Sequence, residues 1–124
     1  MRLIVFSGLC GSGKSTAAIQ EFGVFPSAAH TQILAYDDIR RREPELSPAE
    51  VTFELLRQAH RWLSQRYNVV LDACNLYPED YLRWETLAVI ERAKFEWRRI
   101  STPVDECIRR DAMRILHSIP QFAR

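Results

Sequence analysis

Apolar residues come in short unbroken runs separated by stretches where they recur every three or four positions, a rhythm that predicts alternating strands and helices. Leu3-Ile4-Val5-Phe6 is apolar without interruption, the pattern of a strand covered on both faces. The next segment predicts a helix from about Lys14 to Phe22, with Gly23 as its stop. Pro26 to Thr31 is read as a loop, and Gln32 to Tyr36 as a short strand delivering Asp37 and Asp38 at its carboxyl end. Asp38 to Glu43 predicts a short helical turn closed by Pro44. Ser47-Pro48-Ala49-Glu50 combines a capping box with proline at the first helical position. The helix it opens carries Val51, Leu55, Ala59, Trp62 and Leu63 as one apolar stripe. Asn68 to Asp72 predicts a buried strand ending in an acid. Pro78 opens a further helix to about Lys94, with Tyr81, Trp84, Leu87 and Ala88 on one face. Phe95 to Ile100 predicts the fourth strand. Thr102-Pro103-Val104-Asp105 then starts a last helix with Val104, Cys107, Ile108, Ala112, Ile115 and Leu116 facing inward. Strand and helix alternate four times, the order of an α/β domain with a parallel sheet and helices on both faces.

Between the first strand and first helix lies Gly8-Leu9-Cys10-Gly11-Ser12-Gly13-Lys14-Ser15, a G-x-x-x-x-G-K-[ST] phosphate-binding loop. Three of the chain's four glycines fall within these eight residues, so the match is not a by-product of a glycine-rich composition. Glycines reach backbone angles closed to residues with a Cβ, which lets successive N–H groups wrap a phosphate. The helix that begins here adds free N–H groups and the positive end of its dipole. Gly8, Gly11, Ser12, Gly13, Lys14, Ser15 and Thr16 are therefore the candidate nucleotide-binding set. Lys14 would neutralise the β- and γ-phosphates of a nucleoside triphosphate, and the Ser15 hydroxyl would ligate Mg²⁺.

Composition narrows the rest. The length of 124 residues predicts one domain, 1–124, built on a single core. A net charge of +1 gives no global attraction to nucleic acid or membrane, so any polyanion site must be local. Cys10, Cys74 and Cys107 are odd in number and form no C-x-x-C pair, which argues against a disulfide framework and a zinc site. No stretch approaches the length of a membrane span, and a cytoplasmic protein is expected.

Ligands of open parallel sheets sit outside the carboxyl ends of the strands, and polar residues gather there. Asp37 or Asp38 could accept the proton of a substrate hydroxyl or cap the following turn, and Arg40 could hold a substrate phosphate. Asp72 ends an apolar strand as a Mg²⁺-holding acid does in phosphate-loop enzymes, or it forms a strand-end turn. Asn75 orients neighbouring loops or forms a turn. Arg110 and Arg114 lie four apart on one helical face, either a clamp for an anionic ligand or a solvated surface.

With these residues in place, the sequence resembles the 5′-polynucleotide kinase branch of the phosphate-loop kinases, especially the kinase module of phage polynucleotide kinase-phosphatases. The resemblance runs from about Leu3 to Arg114. It rests on Tyr36-Asp37-Asp38-Ile39-Arg40, on Asp72-Ala73-Cys74-Asn75-Leu76-Tyr77-Pro78-Glu79, on Trp84-Glu85-Thr86, and on Pro103 through Arg114. It implies a three-layer phosphate-loop NTPase fold, with ATP and Mg²⁺ as cofactors and nucleic acid 5′-hydroxyl ends as the acceptor. It implies Lys14 and Ser15 on the phosphates and metal, and Asp37 as general base. Arg40 would bind the acceptor's terminal phosphate, Asp72 would lie near the metal, and Arg110 and Arg114 would form a clamping lid. Two departures stand out: no phosphatase domain follows, and the chain ends about ten residues after Arg114, where the family continues through a lid and another helix. End-healing by one polypeptide is therefore not expected, and the lid is expected to be short. A small-molecule or nucleoside kinase, and a nucleotide-binding protein without turnover, share the same loop and stand as alternatives.

Overall fold

The computed structural model describes residues 1–8, 13–24 and 29–100. The described residues form β1 (Arg2–Ser7), α1 (Lys14–Phe22), β2 (Thr31–Ala35), α2 (Tyr36–Arg42), α3 (Pro48–Ser64), β3 (Asn68–Asp72), α4 (Pro78–Glu91) and β4 (Lys94–Arg99). The helix expected after Thr102, and with it Arg110 and Arg114, lies outside the described residues.

All strand pairs are parallel and the order is β2-β3-β1-β4. Right-handed crossovers require a chain moving one way across the sheet and then back to place its helices on opposite faces. The packing obeys this. Ile4, Phe6 and Val70 pack with Ala18 and Phe22 of α1 on one face. Leu3, Val5, Val69 and Leu71 pack with Val51, Leu55, Ala59 and Leu63 of α3 and with Trp84, Leu87 and Ala88 of α4 on the other. Residues 3 to 6 of β1 are fully or almost fully buried, which explains why that strand is apolar throughout rather than alternating. Each such side chain contributes roughly 1.5–3 kcal/mol relative to exposure.

The helix ends have local causes. Ser47 Oγ accepts from the Glu50 N–H at 3.2 Å, and the Glu50 carboxylate accepts from the Ser47 N–H at 2.9 Å, closing the capping box read from sequence. Gly23 ends α1 as expected, although its φ of −88° is open to any residue. Space decides there: a Cβ would stand 2.6 Å from the Ile19 carbonyl oxygen.

Two boundaries differ from expectation. The helix α4 stops at Glu91 rather than near Lys94, because Arg92 turns left-handed at φ 56° and Lys94 already pairs with Arg2 as β4 begins. The helix α2 starts at Tyr36, not Asp38. The register of β2 ends with Ala35 opposite Asp72, and the chain coils at once. Asp37 and Asp38 therefore occupy the first turn of a helix instead of a strand end, where their charge complements the dipole.

Candidate active site

The candidate site lies where β1, β2 and β3 end on the same side of the sheet. Phe6, Asp72 and Ala35 stand level across the three strands. Gly8 leaves β1 buried, and its N–H donates to the Cys74 carbonyl at 2.9 Å, tying the start of the loop to the segment after β3. Gly11 and Ser12 lie outside the described residues. Gly13 caps α1 in the left-handed region (φ 94°), a conformation a residue with a Cβ rarely takes, and its carbonyl accepts the first helical bond from Ala17 at 2.9 Å. Lys14 follows as the first residue of α1. It is buried, which is rare for a lysine unless its charge is used, and it lines the cleft. Thr16 is exposed in the same first turn.

The two candidate metal ligands meet. Ser15 Oγ donates to Asp72 Oδ2 at 2.5 Å, joining the start of α1 to the end of β3. Asp72 is buried at the level of Ala35 and Phe6. A hydroxyl and a carboxylate side by side form a hard oxygen donor pair, the type Mg²⁺ takes from a protein while phosphate oxygens and water complete its shell. The residues fit that ion. Among the described residues no cluster of three or more His, Cys, Asp or Glu offers a fuller cage. Cys74 is half-buried and in no disulfide among the described residues.

Asn75 resolves the choice left by its sequence position in favour of orienting loops. It is buried with φ 49°, a region Asn tolerates better than most residues. Its Nδ2 donates to the carbonyls of Phe6 (2.9 Å) and Ala73 (3.2 Å), and its Oδ1 accepts from the Trp84 indole at 3.0 Å. Ser7 Oγ donates to the Asn75 carbonyl at 2.8 Å. One side chain thus fixes the end of β1, the segment carrying Asp72, and α4.

Facing Lys14, Ser15 and Asp72 across a cleft of about 320 Å³ stand Tyr36, Asp37, Asp38 and Arg41 of α2. Neither acid caps the helix; each pairs one turn on, Asp37 with Arg40 at 3.4 Å and Asp38 with Arg41 at 2.9 Å. Arg41, rather than Arg40, lines the cleft. Arg41 stands one turn on from Asp37 and Asp38 at the cleft wall, while Arg40 is paired with Asp37. Arg41 was not singled out from the sequence, where only Arg40 of this segment was named. The apolar wall made by Ile19, Ile33 and Cys74 carried no sequence signal either.

A parallel sheet with this helix arrangement and a loop opening onto a buried Lys, a Ser and an Asp defines a phosphate-loop domain with a kinase fold. Residues 3–121 match the family described as an AAA domain, and the chain belongs to that family. Among solved structures it is similar to a chain of the Pnkp1/Rnl/Hen1 RNA repair complex (24% identity, TM-score 0.79), covering 98% of this chain and 41% of that one. A second structure of the Pnkp1/Rnl/Hen1 complex matches at 23% identity and a TM-score of 0.75, covering 88% of this chain and 38% of that one. The APS kinase of Mycobacterium tuberculosis, solved with AMPPNP and APS, matches at 23% identity and a TM-score of 0.66 over 97% of this chain and 73% of that one. The chain thus spans well under half the length of the repair-complex chains. No curated protein matches it in sequence. No helix among the described residues is long and apolar enough to cross a membrane.

Proposed function

We propose that the chain is a kinase that transfers the γ-phosphoryl group of ATP to the 5′-hydroxyl end of a polynucleotide, acting in the cytoplasm. The observation that carries the proposal is the opposition of Asp37 and Asp38 on α2 to Lys14, Ser15 and Asp72 across one cleft. That is the layout of an in-line transfer run by positioning and charge neutralisation. Lys14 and the loop amides hold the ATP phosphates, while Ser15 and Asp72 are placed to hold Mg²⁺, which when bound neutralises phosphate charge. Asp37 accepts the proton of the 5′-hydroxyl as its oxygen bonds to Pγ and the bond from Pγ to the bridging oxygen breaks, leaving ADP. Of the two acids it is the less firmly engaged, with its arginine at 3.4 Å against 2.9 Å for Asp38. Arg40 binds the acceptor's terminal phosphate, and Arg110 and Arg114, outside the described residues, clamp the transferring phosphates; these roles rest on the family resemblance.

Support for a nucleic acid acceptor comes from that resemblance and from the neighbours that belong to an RNA repair complex. The APS kinase neighbour favours the second reading, a small-alcohol acceptor. Labelled ATP offered with 5′-hydroxyl DNA and RNA oligonucleotides, a nucleoside 3′-phosphate and adenosine 5′-phosphosulfate decides between them. Label on oligonucleotide 5′ ends, abolished by Lys14→Ala and by Ser15→Ala, is the expected result. Label on a small acceptor alone establishes the second reading.

A further inference from the structure

Beyond the α2 side of the nucleotide cleft lies a second, wider hollow of about 600 Å³ against β2. Its walls include Gln32 of β2, Arg41 and Arg42 of α2, and Gln58 and Trp62 of α3. The two hollows share Ile33, Asp38 and Arg41 in their walls, so they adjoin. The strand β2 is an edge of the sheet, which leaves the hollow open along its length.

The charge in this hollow is not self-cancelling. Asp38 is the acid in its wall, and it is engaged by Arg41 at 2.9 Å. Arg42 donates only weakly, to the Asp38 carbonyl at 3.3 Å, and has no carboxylate partner among the described residues. Glu54 of α3, within reach of Arg42's field, is already held by Arg57 and Gln58. Trp62 supplies an aromatic wall, steadied by Tyr67 edge-on at 4.9 Å. Exposed guanidinium groups beside a fixed aromatic are the means by which proteins hold single-stranded nucleic acid without reading its sequence.

We propose that this hollow is the subsite for the nucleotides that follow the acceptor's 5′ end, an inference that rests on the polynucleotide-kinase reading. A strand with its terminal hydroxyl at the γ-phosphate has to leave the cleft, and the wall containing Arg41 leads it into the second hollow. Arg41 and Arg42 meet its phosphodiesters, a downstream base lies against Trp62, and Gln32 and Gln58 offer amide groups. The bases must be unpaired to reach Trp62, so the strand is single. A kinase for a small alcohol has no use for this surface, because its acceptor ends inside the cleft.

The test measures KM for a nucleoside 3′-phosphate and for 5′-hydroxyl DNA of two, three and six nucleotides. Binding of a 3′-fluorescein hexadeoxynucleotide, read by anisotropy against salt without ATP, gives a second readout. Wild type is expected to gain roughly tenfold in acceptor KM between one and three nucleotides. Arg42→Ala, at an exposed position, should remove most of that gain and lower the salt slope by about one. Trp62→Leu should weaken hexamer binding roughly tenfold and Trp62→Phe much less, since stacking needs only a ring. A wild-type KM independent of length overturns the proposal, as does an Arg42→Ala loss equal for the nucleoside 3′-phosphate and the hexamer. Absence of transfer to every 5′-hydroxyl nucleic acid acceptor overturns instead the function on which it rests.

Discussion

The chemistry of this chain is concentrated in a few polar side chains set at the rim of an apolar sheet. Lys14 and Asp72 are buried charges, and a fold tolerates such groups only where they are paired or serve a ligand. Asp37 and Asp38 are instead half-exposed and adjacent, so their roles separate by geometry. Asp37→Asn keeps the shape of the acid and removes its capacity to accept a proton; a fall in kcat of about 10²–10⁴-fold is expected, with nucleotide affinity retained. Asp38→Asn should keep most activity, because its oxygen can still accept from Arg41, now without charge assistance. Steady-state rates with an oligonucleotide acceptor check both, and the opposite ranking would move the base to Asp38. Asn75 presents a different case. Its removal leaves the Trp84 indole N–H and the Phe6 carbonyl without partners in a buried place. Asn75→Ala should cost about 2–3 kcal/mol in urea unfolding. It should also lower activity, because the segment carrying Asp72 loses its anchor.

At the scale of elements, helices were legible where side chains cap them and less so where the backbone alone decides. The box at Ser47 and Glu50 gave α3 its start to the residue, and the stripe at Val51, Leu55, Ala59 and Leu63 gave its buried face. By contrast, α2 begins on Ala35, which has no capping side chain, and it begins there because strand pairing ends opposite Asp72. That is a tertiary cause with no local sequence mark. The two-residue difference it produced made a capping role for Asp38 look natural. The end of α4 was missed for a similar reason: Arg92 takes a left-handed conformation without being Gly or Asn. The helix α3 also carries a pH-dependent contact. Hydrogen bonds from Arg57, then from Gln58, hold the Glu54 carboxyl down at about 2, against an ordinary 4.5. Because the folded value is the depressed one, the contribution is complete above about pH 4.5 and fades as pH falls toward 2. Arg57 is about half-exposed, so solvent screens the pair and roughly 0.2–1 kcal/mol is expected. Glu54→Gln should therefore melt lower than wild type at pH 7, and the two curves should converge as pH approaches 2.

For the whole molecule, the order β2-β3-β1-β4 puts the best-buried strands in the middle and the site at one end of them. The fold class and parallel sheet were legible because unbroken apolar runs at β1 and β3 require cover on both faces. Strand order was not, since no pattern within a strand names its neighbour. This arrangement separates what makes the domain stable from what binds. Ile4, Val5, Val70 and Leu71 are fully buried and hydrogen-bonded on both sides, so their amides should exchange only through global unfolding. Amides of the edge strands β2 and β4 should exchange faster, through local opening. A ligand gripping Lys14, Ser15 and Asp72 joins the end of β1 to that of β3 and should raise the global opening energy by RT ln(1 + [L]/Kd). At a hundredfold excess of MgATP over Kd that is about 2.7 kcal/mol, several degrees in the melting temperature of a domain this size. Lys14→Ala should melt without that increment while remaining folded in its absence. Native-state exchange should then show β1 and β3 slowed by MgATP in wild type and unchanged in the variant. Equal slowing in both would mean that the stabilising contacts lie elsewhere than at Lys14, and the assignment of the loop as the nucleotide site would fall with it.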